Sequence, residues 1–419
     1  MFLTLKNYII SDNKGKRNAI FVLLLVFGFP TIAIINYATE IQSGIISQAY
    51  RMLNLIISGI LILEFLVKTN FKLNSKISFN KDFLIKKAPF ILFLIFWMAY
   101  LLRLYIDLEI NHITNAFNYS NSYYFLFAIG VTIIPMLAVA SIKEFDVDFF
   151  QLSLHRYLVV LNIGLVIIFF LGKLFNPAPD YRFFIIRDEF YYLDAITIAI
   201  YGSLLVLTSF LSKKKNLFTY LLIALGFFIV LTTASRGPIL SLLLALFFIF
   251  IFIDKKISFK YLYLTIALIF SMIANYVTSL IFVKEFIVGN PMLYRINNME
   301  EDQSTVSRLD VLNEGIQQFL EGPIFGSHFL VVKSSMYAHN IFFDVLLTTG
   351  IFGLLLIIPI FLIFAKKMLS PTKTIILSVL GFYLFLNTLT SGACYNMTEF
   401  WIIFALTIVY KKDLINNPV

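Results

Sequence analysis

The chain has 419 residues, 60% apolar and only 14% charged, with a formal net charge of +9. Soluble domains average ~45–50% apolar and ~25% charged residues, and a surface this apolar would expose patches to water that mark interfaces or aggregation. A soluble enzyme, a nucleic-acid binder and a disordered chain are excluded, lipid is the solvent, and the single cysteine, Cys394, rules out an intrachain disulfide or a cysteine-based metal cluster.

Each membrane-crossing helix needs ~20 apolar residues. Such runs lie near 18–37, 52–67, 88–106, 122–141, 157–175, 190–211, 216–233, 237–253, 261–283, 340–365, 374–391 and 398–410. The predicted fold is all-α: a polytopic integral membrane protein of about twelve spans, one transmembrane domain over 1–419. The first run lacks a small-residue cleavage site after it and reads as a retained span rather than a signal peptide.

Orientation comes from the loops. Of the 33 Lys and Arg residues, 23 lie in the N-terminus, the C-terminus and alternate loops, which the positive-inside rule places in the cytoplasm with both termini. Only Arg17 and Arg156 among those 23 are arginine, whereas seven of the other ten are: Arg51, Arg103, Arg182, Arg187, Arg236, Arg295 and Arg308. Arginine placed against the topology rule points to an outward-facing anionic ligand, because its fork binds phosphate oxygens bidentately where lysine offers a point charge. The plainer alternative is surface pairing with Asp180, Asp188, Glu189 and the acidic run Glu300 to Asp302.

Two outer segments are long. The loop 176–189 mixes cations, acids and aromatics. The larger, 284–339 between spans nine and ten, contains an expected amphipathic helix from about 308 to 321. Ser307 and Asp310 read as its capping box, and Leu309, Leu312, Ile316 and Leu320 form a stripe at helical spacing. Such a helix lies on the outer membrane face or over a cavity.

Between spans seven and eight, Ser235, Arg236, Gly237 and Pro238 form a turn with almost no loop. Ser235 is placed to cap the next helix and Pro238 suits its first turn, so helix N–H groups and the positive dipole end meet Arg236 at an anion site. A snorkelling arginine at the headgroups is the competing reading. Arg308 again stands near a helix start. At the entrance to span ten come His339 and Asn340, then Asp344, Gly350 and Gly353. Histidine matches proton transfer or phosphate contact near neutral pH, and an interfacial histidine bonded to a backbone carbonyl is the alternative.

The His339-Asn340 pair followed by Gly350-x-x-Gly353 resembles the histidine motif of the O-antigen ligase and Wzy-type polymerase superfamily. The Ser235-Arg236-Gly237 turn and the run from Ser307-Arg308-Leu309 to Gly322-Pro323-Ile324-Phe325-Gly326 are similar to its other motifs, in the same order over about 216–365. Ser327-His328-Phe329 departs from the pattern, since a second glycine is common there. The resemblance implies a periplasmic glycosyltransferase of the bacterial inner membrane that moves a glycan from undecaprenyl diphosphate to a sugar hydroxyl. It implies that Arg236 and Arg308 clamp the diphosphate and that His339 accepts the hydroxyl proton or bonds the phosphate, with Asn340 orienting it. Arg182 and Arg187 become second-tier contacts, with Ser235 beside Arg236, and Asp194 and Asp344 alternative bases or partners of the arginines.

No metal or other cofactor is called for in that scheme. The expected partners are the lipid-linked glycan, membrane lipid and a chain-length regulator protein, with no nucleic acid. A polymerase joining repeat units leads. A ligase delivering the chain to lipid A-core is the alternative, and a flippase for the same lipid is less favoured because charges within spans cluster at the outer end and no repeat of two halves is visible.

Overall fold

Why this chain builds helices is plain from its runs of Leu, Ile and Phe without interrupting charge: in lipid every backbone N–H and C=O must be satisfied within the segment. In the computed structural model, six helices are long and apolar enough to cross a membrane: Lys14–Ile35, Gln48–Val67, Ala88–Ile110, Asn121–Ala140, Val147–Leu171 and Ile341–Leu369. Shorter apolar helices cover Ala195–Phe210, Leu217–Thr232, Arg236–Phe252, Ile375–Thr388 and Thr398–Val409. The protein is a multi-pass membrane protein. The structure describes residues 13–39, 43–68, 81–113, 120–175, 185–187, 190–212, 216–253, 303–369 and 375–410. The span predicted at 261–283, the acidic run 300–302 and Arg182 and Arg295 lie outside them.

The helices are labelled α1 (Lys14–Thr39), α2 (Ser43–Lys68), α3 (Lys81–Tyr105), α4 (Asn121–Phe125), α5 (Ile134–Ala140), α6 (Val147–Phe175), α7 (Ala195–Phe210), α8 (Leu217–Thr232), α9 (Arg236–Phe248), α10 (Gln303–Glu321), α11 (Ile341–Leu369), α12 (Ile375–Thr388) and α13 (Thr398–Val409). Wider π-helical turns extend α3 over Ile106–Ile110 and join α4 to α5 over Leu126–Ile133.

Among the boundaries that differ from expectation, three bear on the elements around the predicted site residues. α6 starts ten residues before the predicted span because Asp146 caps it, its carboxylate accepting from the Phe149 N–H at 2.9 Å. The span predicted from 190 begins at 195, since β1 (Ile185–Arg187) and β2 (Phe190–Leu193) pair as an antiparallel hairpin. Apart from this short hairpin the described residues are all-α, as expected. Finally, α10 runs from Gln303, so Ser307 lies inside the helix and not at a capping box.

The packing divides into two compact units. The first holds residues 1–52, 144–302 and 371–383. Within it α7 and α8 touch backbone to backbone: a Cβ on Gly226 would meet the Gly202 carbonyl oxygen at 2.7 Å. Small residues at such crossings let membrane helices approach closely. The hairpin packs on α1, and the Tyr50 hydroxyl donates to the Leu24 carbonyl at 2.6 Å.

The second unit holds residues 53–143, 303–370 and 384–419. Its core is aromatic, with Phe93, Trp97, Phe361, Phe364, Phe400, Trp401 and Phe404 in mutual ring contact where α3, α11 and α13 meet. α11 is broken at Gly350, whose φ of 67° and ψ of −163° are not helical. The break frees backbone groups, and the segment 323–327 takes them up. Ile351 N–H donates to the Pro323 carbonyl (2.9 Å), Phe352 N–H to the Ile324 carbonyl (3.0 Å), and Ser327 N–H to the Leu347 carbonyl (2.8 Å).

Candidate functional site

The second unit gathers Arg308, His339, Asn340 and Asp344. α10 lies on α11 through Val311 and Gly315, the glycine leaving room for the Phe343 ring and Val331. Buried Gln318 pins the segment after α10. Its amide nitrogen donates to the Leu330 carbonyl at 2.8 Å and its oxygen accepts from the Val332 N–H at 2.9 Å. Val331 bridges to Met336 and the chain then runs into α11 through His339.

His339 has φ +56°, the left-handed region that side chains other than glycine seldom adopt. Asn340 anchors the chain directly after it. Its side-chain oxygen accepts from the N–H groups of Phe342 (3.0 Å) and Phe343 (3.2 Å), capping α11, and its amide nitrogen donates to the Leu389 carbonyl at 3.0 Å. Asn340 thus fixes the backbone from which the imidazole projects. The His339 ring stands 4.3 Å from the Tyr337 ring, centroid to centroid, and its Nδ1 is buried with no hydrogen-bond partner. Burial, and then the charge of Arg308, push its pKa down from 6.5 to about 4, so at neutral pH the ring is uncharged.

One Nη of Arg308 donates to the Thr390 carbonyl at 3.2 Å. The segment 389–397, between α12 and α13, therefore holds both Arg308 and Asn340. It is itself held by Asp344, fully buried in the first turn of α11: one carboxylate oxygen accepts from the Cys394 N–H at 2.9 Å and the Tyr100 hydroxyl at 3.0 Å. The other carboxylate oxygen is buried without a partner. Burial, then the nearby Asp344 charge, push the Cys394 thiol well above its ordinary pKa.

Tyr100 opens a polar stripe on one face of α3, continued by Arg103 and Asp107 at helical spacing. Arg103 donates to the carbonyls of Phe325 (3.3 Å) and Gly326 (3.1 Å). Buried Asp107, on the π turn, accepts from the Phe329 N–H at 2.8 Å and lies 2.9 Å from His328 Nδ1. These contacts hold the segment between α10 and α11. Sequence reasoning missed Tyr100, Asp107 and the 389–397 segment. The available signals were three polar residues on one face of an apolar span and the small polar run Thr390-Ser391-Gly392-Ala393-Cys394.

The other site residues belong to the first unit. Arg236 is the first residue of α9, after Ala234 at φ +49° and Ser235 at the cap position. Ser235 does not cap as expected: its hydroxyl makes no bond to the helix N–H groups and lies 3.4 Å from the Thr233 carbonyl. Asp194 lies outside the span expected to contain it, as the exposed cap of α7, accepting from the Thr197 N–H at 2.6 Å. Arg187 ends β1. Among the described residues no group of three or more His, Cys, Asp and Glu side chains is arranged to hold a metal ion.

The turn before α9, α10 with its arginine, the histidine segment and the broken start of α11 all fall within residues 221–358, and that range matches the O-antigen ligase family. The chain carries an O-antigen ligase family domain. The family comprises membrane enzymes of surface polysaccharide biosynthesis, of ligase or polymerase type. In this O-antigen ligase domain the two motif glycines have packing roles. Gly350 lies against the Ile324 backbone and Gly353 against Thr349. No curated protein matches the chain.

Proposed function

We propose that the chain is a glycosyltransferase that joins polyprenyl-diphosphate-linked oligosaccharide repeat units at the periplasmic face of the bacterial inner membrane, with both termini cytoplasmic. What carries the reading is an uncharged imidazole with an unpartnered, buried Nδ1 held under the field of a guanidinium, within an O-antigen ligase family domain. The acceptor hydroxyl oxygen attacks the anomeric carbon of the donor sugar while the bond from that carbon to the diphosphate oxygen breaks. The electron pair leaves with the diphosphate, and the hydroxyl proton passes to His339. Arg308 stabilises the charge on the departing phosphate, a role worth ~3–4 kcal/mol for a preorganised donor.

Burial, and after it the charge of Arg308, hold the imidazole pKa near 4 in the absence of substrate. A diphosphate bound to the Arg308 guanidinium offsets the second of these and raises the basicity of the imidazole, while the effect of burial stays. Base strength thus rises when the donor arrives. Arg236 is a second phosphate-binding group in this scheme, with Ser235 beside it, and Arg182 and Arg187 contact glycan or phosphate. Asn340 acts through the backbone of His339. Asp344 remains an alternative base through its unpartnered oxygen, while Asp194, engaged as a helix cap, is the weaker one. A chain-length regulator is the expected protein partner.

The second reading is a ligase that passes the finished chain to lipid A-core, favoured by the description of the matched family itself. Envelope glycan analysis of a deletion strain separates the two. Cores bearing one repeat unit mark a lost polymerase, and bare cores with long lipid-linked chains mark a lost ligase. Strains carrying His339→Ala or Arg308→Lys, with the protein inserted and abundant, should reproduce the deletion. Normal long chains in either would refute the catalytic assignment, and reporter fusions at 235 or 310 that report cytoplasm would refute the orientation.

A further inference from the structure

The surface of α10 divides into three sectors. Val311, Gly315 and Gln318 face the protein and are buried. Asp310, Asn313, Gln317 and Glu321 are exposed and polar. Between these sectors runs the apolar stripe of Leu309, Leu312, Ile316 and Leu320, every member exposed, Leu320 by 62%. A helix seated on protein along one side needs only one outward polar face in water. Here it has an outward apolar face as well.

The stripe does not end with the helix. Ile324 and Phe325 extend it, exposed by 61% and 64%. The Phe325 ring meets the Phe352 ring of α11, 5.6 Å between centroids. Phe352 is itself exposed, as are Ile351 and Leu355 around it, and all three lie in a helix long and apolar enough to cross the membrane. The stripe is therefore continuous with a span surface whose solvent is lipid. Burying its four side chains in that same phase removes their exposed apolar surface from water, while the polar sector keeps contact with water.

We infer that α10 is an interfacial helix, with Leu309, Leu312, Ile316 and Leu320, continued by Ile324 and Phe325, seated in the lipid of the leaflet that α11 enters. The occupant is the membrane surface rather than a partner protein. A consequence, which rests on the glycosyltransferase reading, is that Arg308, adjoining Leu309, comes to the depth of lipid phosphates, where a polyprenyl lipid presents its diphosphate. The lipid contact itself does not depend on that reading.

The test uses the full chain in nanodiscs of phosphatidylethanolamine and phosphatidylglycerol. Native Cys394 is buried, so Leu312→Cys, Ile316→Cys, Asn313→Cys and Gln317→Cys can each be labelled singly with an environment-sensitive NBD fluorophore. Labels at 312 and 316 should emit blue-shifted light and be roughly twofold quenched by lipids brominated on their acyl chains, as an apolar face sunk about 5–10 Å into the boundary requires. Labels at 313 and 317 should emit as in water, without quenching. Water-like emission at 312 and 316 overturns the inference. So does blue-shifted emission without bromine quenching, which means that protein, either residues 254–302 or a second copy, covers the stripe. A variant lacking the wild-type thermal transition is replaced by Leu309→Cys or Leu320→Cys, which report on the same stripe. Glycan transfer enters none of these readouts, so failure here leaves the catalytic proposal standing, and loss of the latter leaves this result intact.

Discussion

Replacing Gly350 with alanine attacks the point where the broken span and the segment after α10 exchange backbone bonds. The conformation at φ 67°, ψ −163° is essentially restricted to glycine and costs about 1–3 kcal/mol for another residue. An added Cβ would press into the Ile324 carbonyl and lie 2.5 Å from the Gly326 nitrogen. Both are backbone groups, so no rotamer change relieves the contact. Moving the segment away breaks the bonds from Ile351 and Phe352 to Pro323 and Ile324, each worth about 0.5–1.5 kcal/mol net. Gly350→Ala should therefore destabilise by roughly 2–6 kcal/mol, adding the backbone and hydrogen-bond terms. Gly59→Ala, on α2, is the control. A Cβ there would meet nothing within 4 Å, so no contact or backbone hydrogen bond is lost. Thermal unfolding in detergent, with limited proteolysis at 322–327, measures both. If the two variants unfold alike, or Gly350→Ala matches wild type, the close-approach argument is wrong.

Two further outcomes concern the site. His339, held near pKa 4 in the folded protein against 6.5 for the ordinary group, is protonated first in the unfolded chain as pH falls. Stability is thus unaffected above about pH 6.5 and declines between there and pH 4, by at most about 3.5 kcal/mol at ~1.4 kcal/mol per unit. A denaturation series across pH should lose this component in His339→Gln, and an unchanged slope would contradict the burial of the ring. Asp344→Ala removes the acceptor that ties the Cys394 N–H to α11, so maleimide labelling of Cys394, minimal in wild type, should increase at least roughly tenfold if local opening falls by the ~1.4 kcal/mol that such a factor represents. Labelling that stays at the wild-type rate would show that Asp344 does not hold the 389–397 segment.

What could be read along the chain was what lipid and helical periodicity impose locally. Apolar runs located the helices in the described residues, six of them long and apolar enough to cross a membrane, because a segment that must satisfy its own backbone in hydrocarbon announces itself by composition. The stripe on α10 was legible for the same reason, although its outward face was not, since Val311 and Gly315 seat the helix from beside the stripe and not through it. The identity of the motif residues Arg236, Arg308 and His339 was also legible, and so was their order.

Tertiary structure decided what those residues touch. Asp344 read as a base or an arginine's partner, and it holds Tyr100, 244 residues away, and the Cys394 N–H. Asn340 read as orienting a neighbour, and it does so by capping a helix and gripping Leu389. Gly350 looked like part of a chemical motif, and its place is set by the Ile324 backbone pressed against it. Composition and periodicity report the solvent each segment faces, but a hydrogen bond between segments hundreds of residues apart depends on where both backbones come to rest, and only packing fixes that.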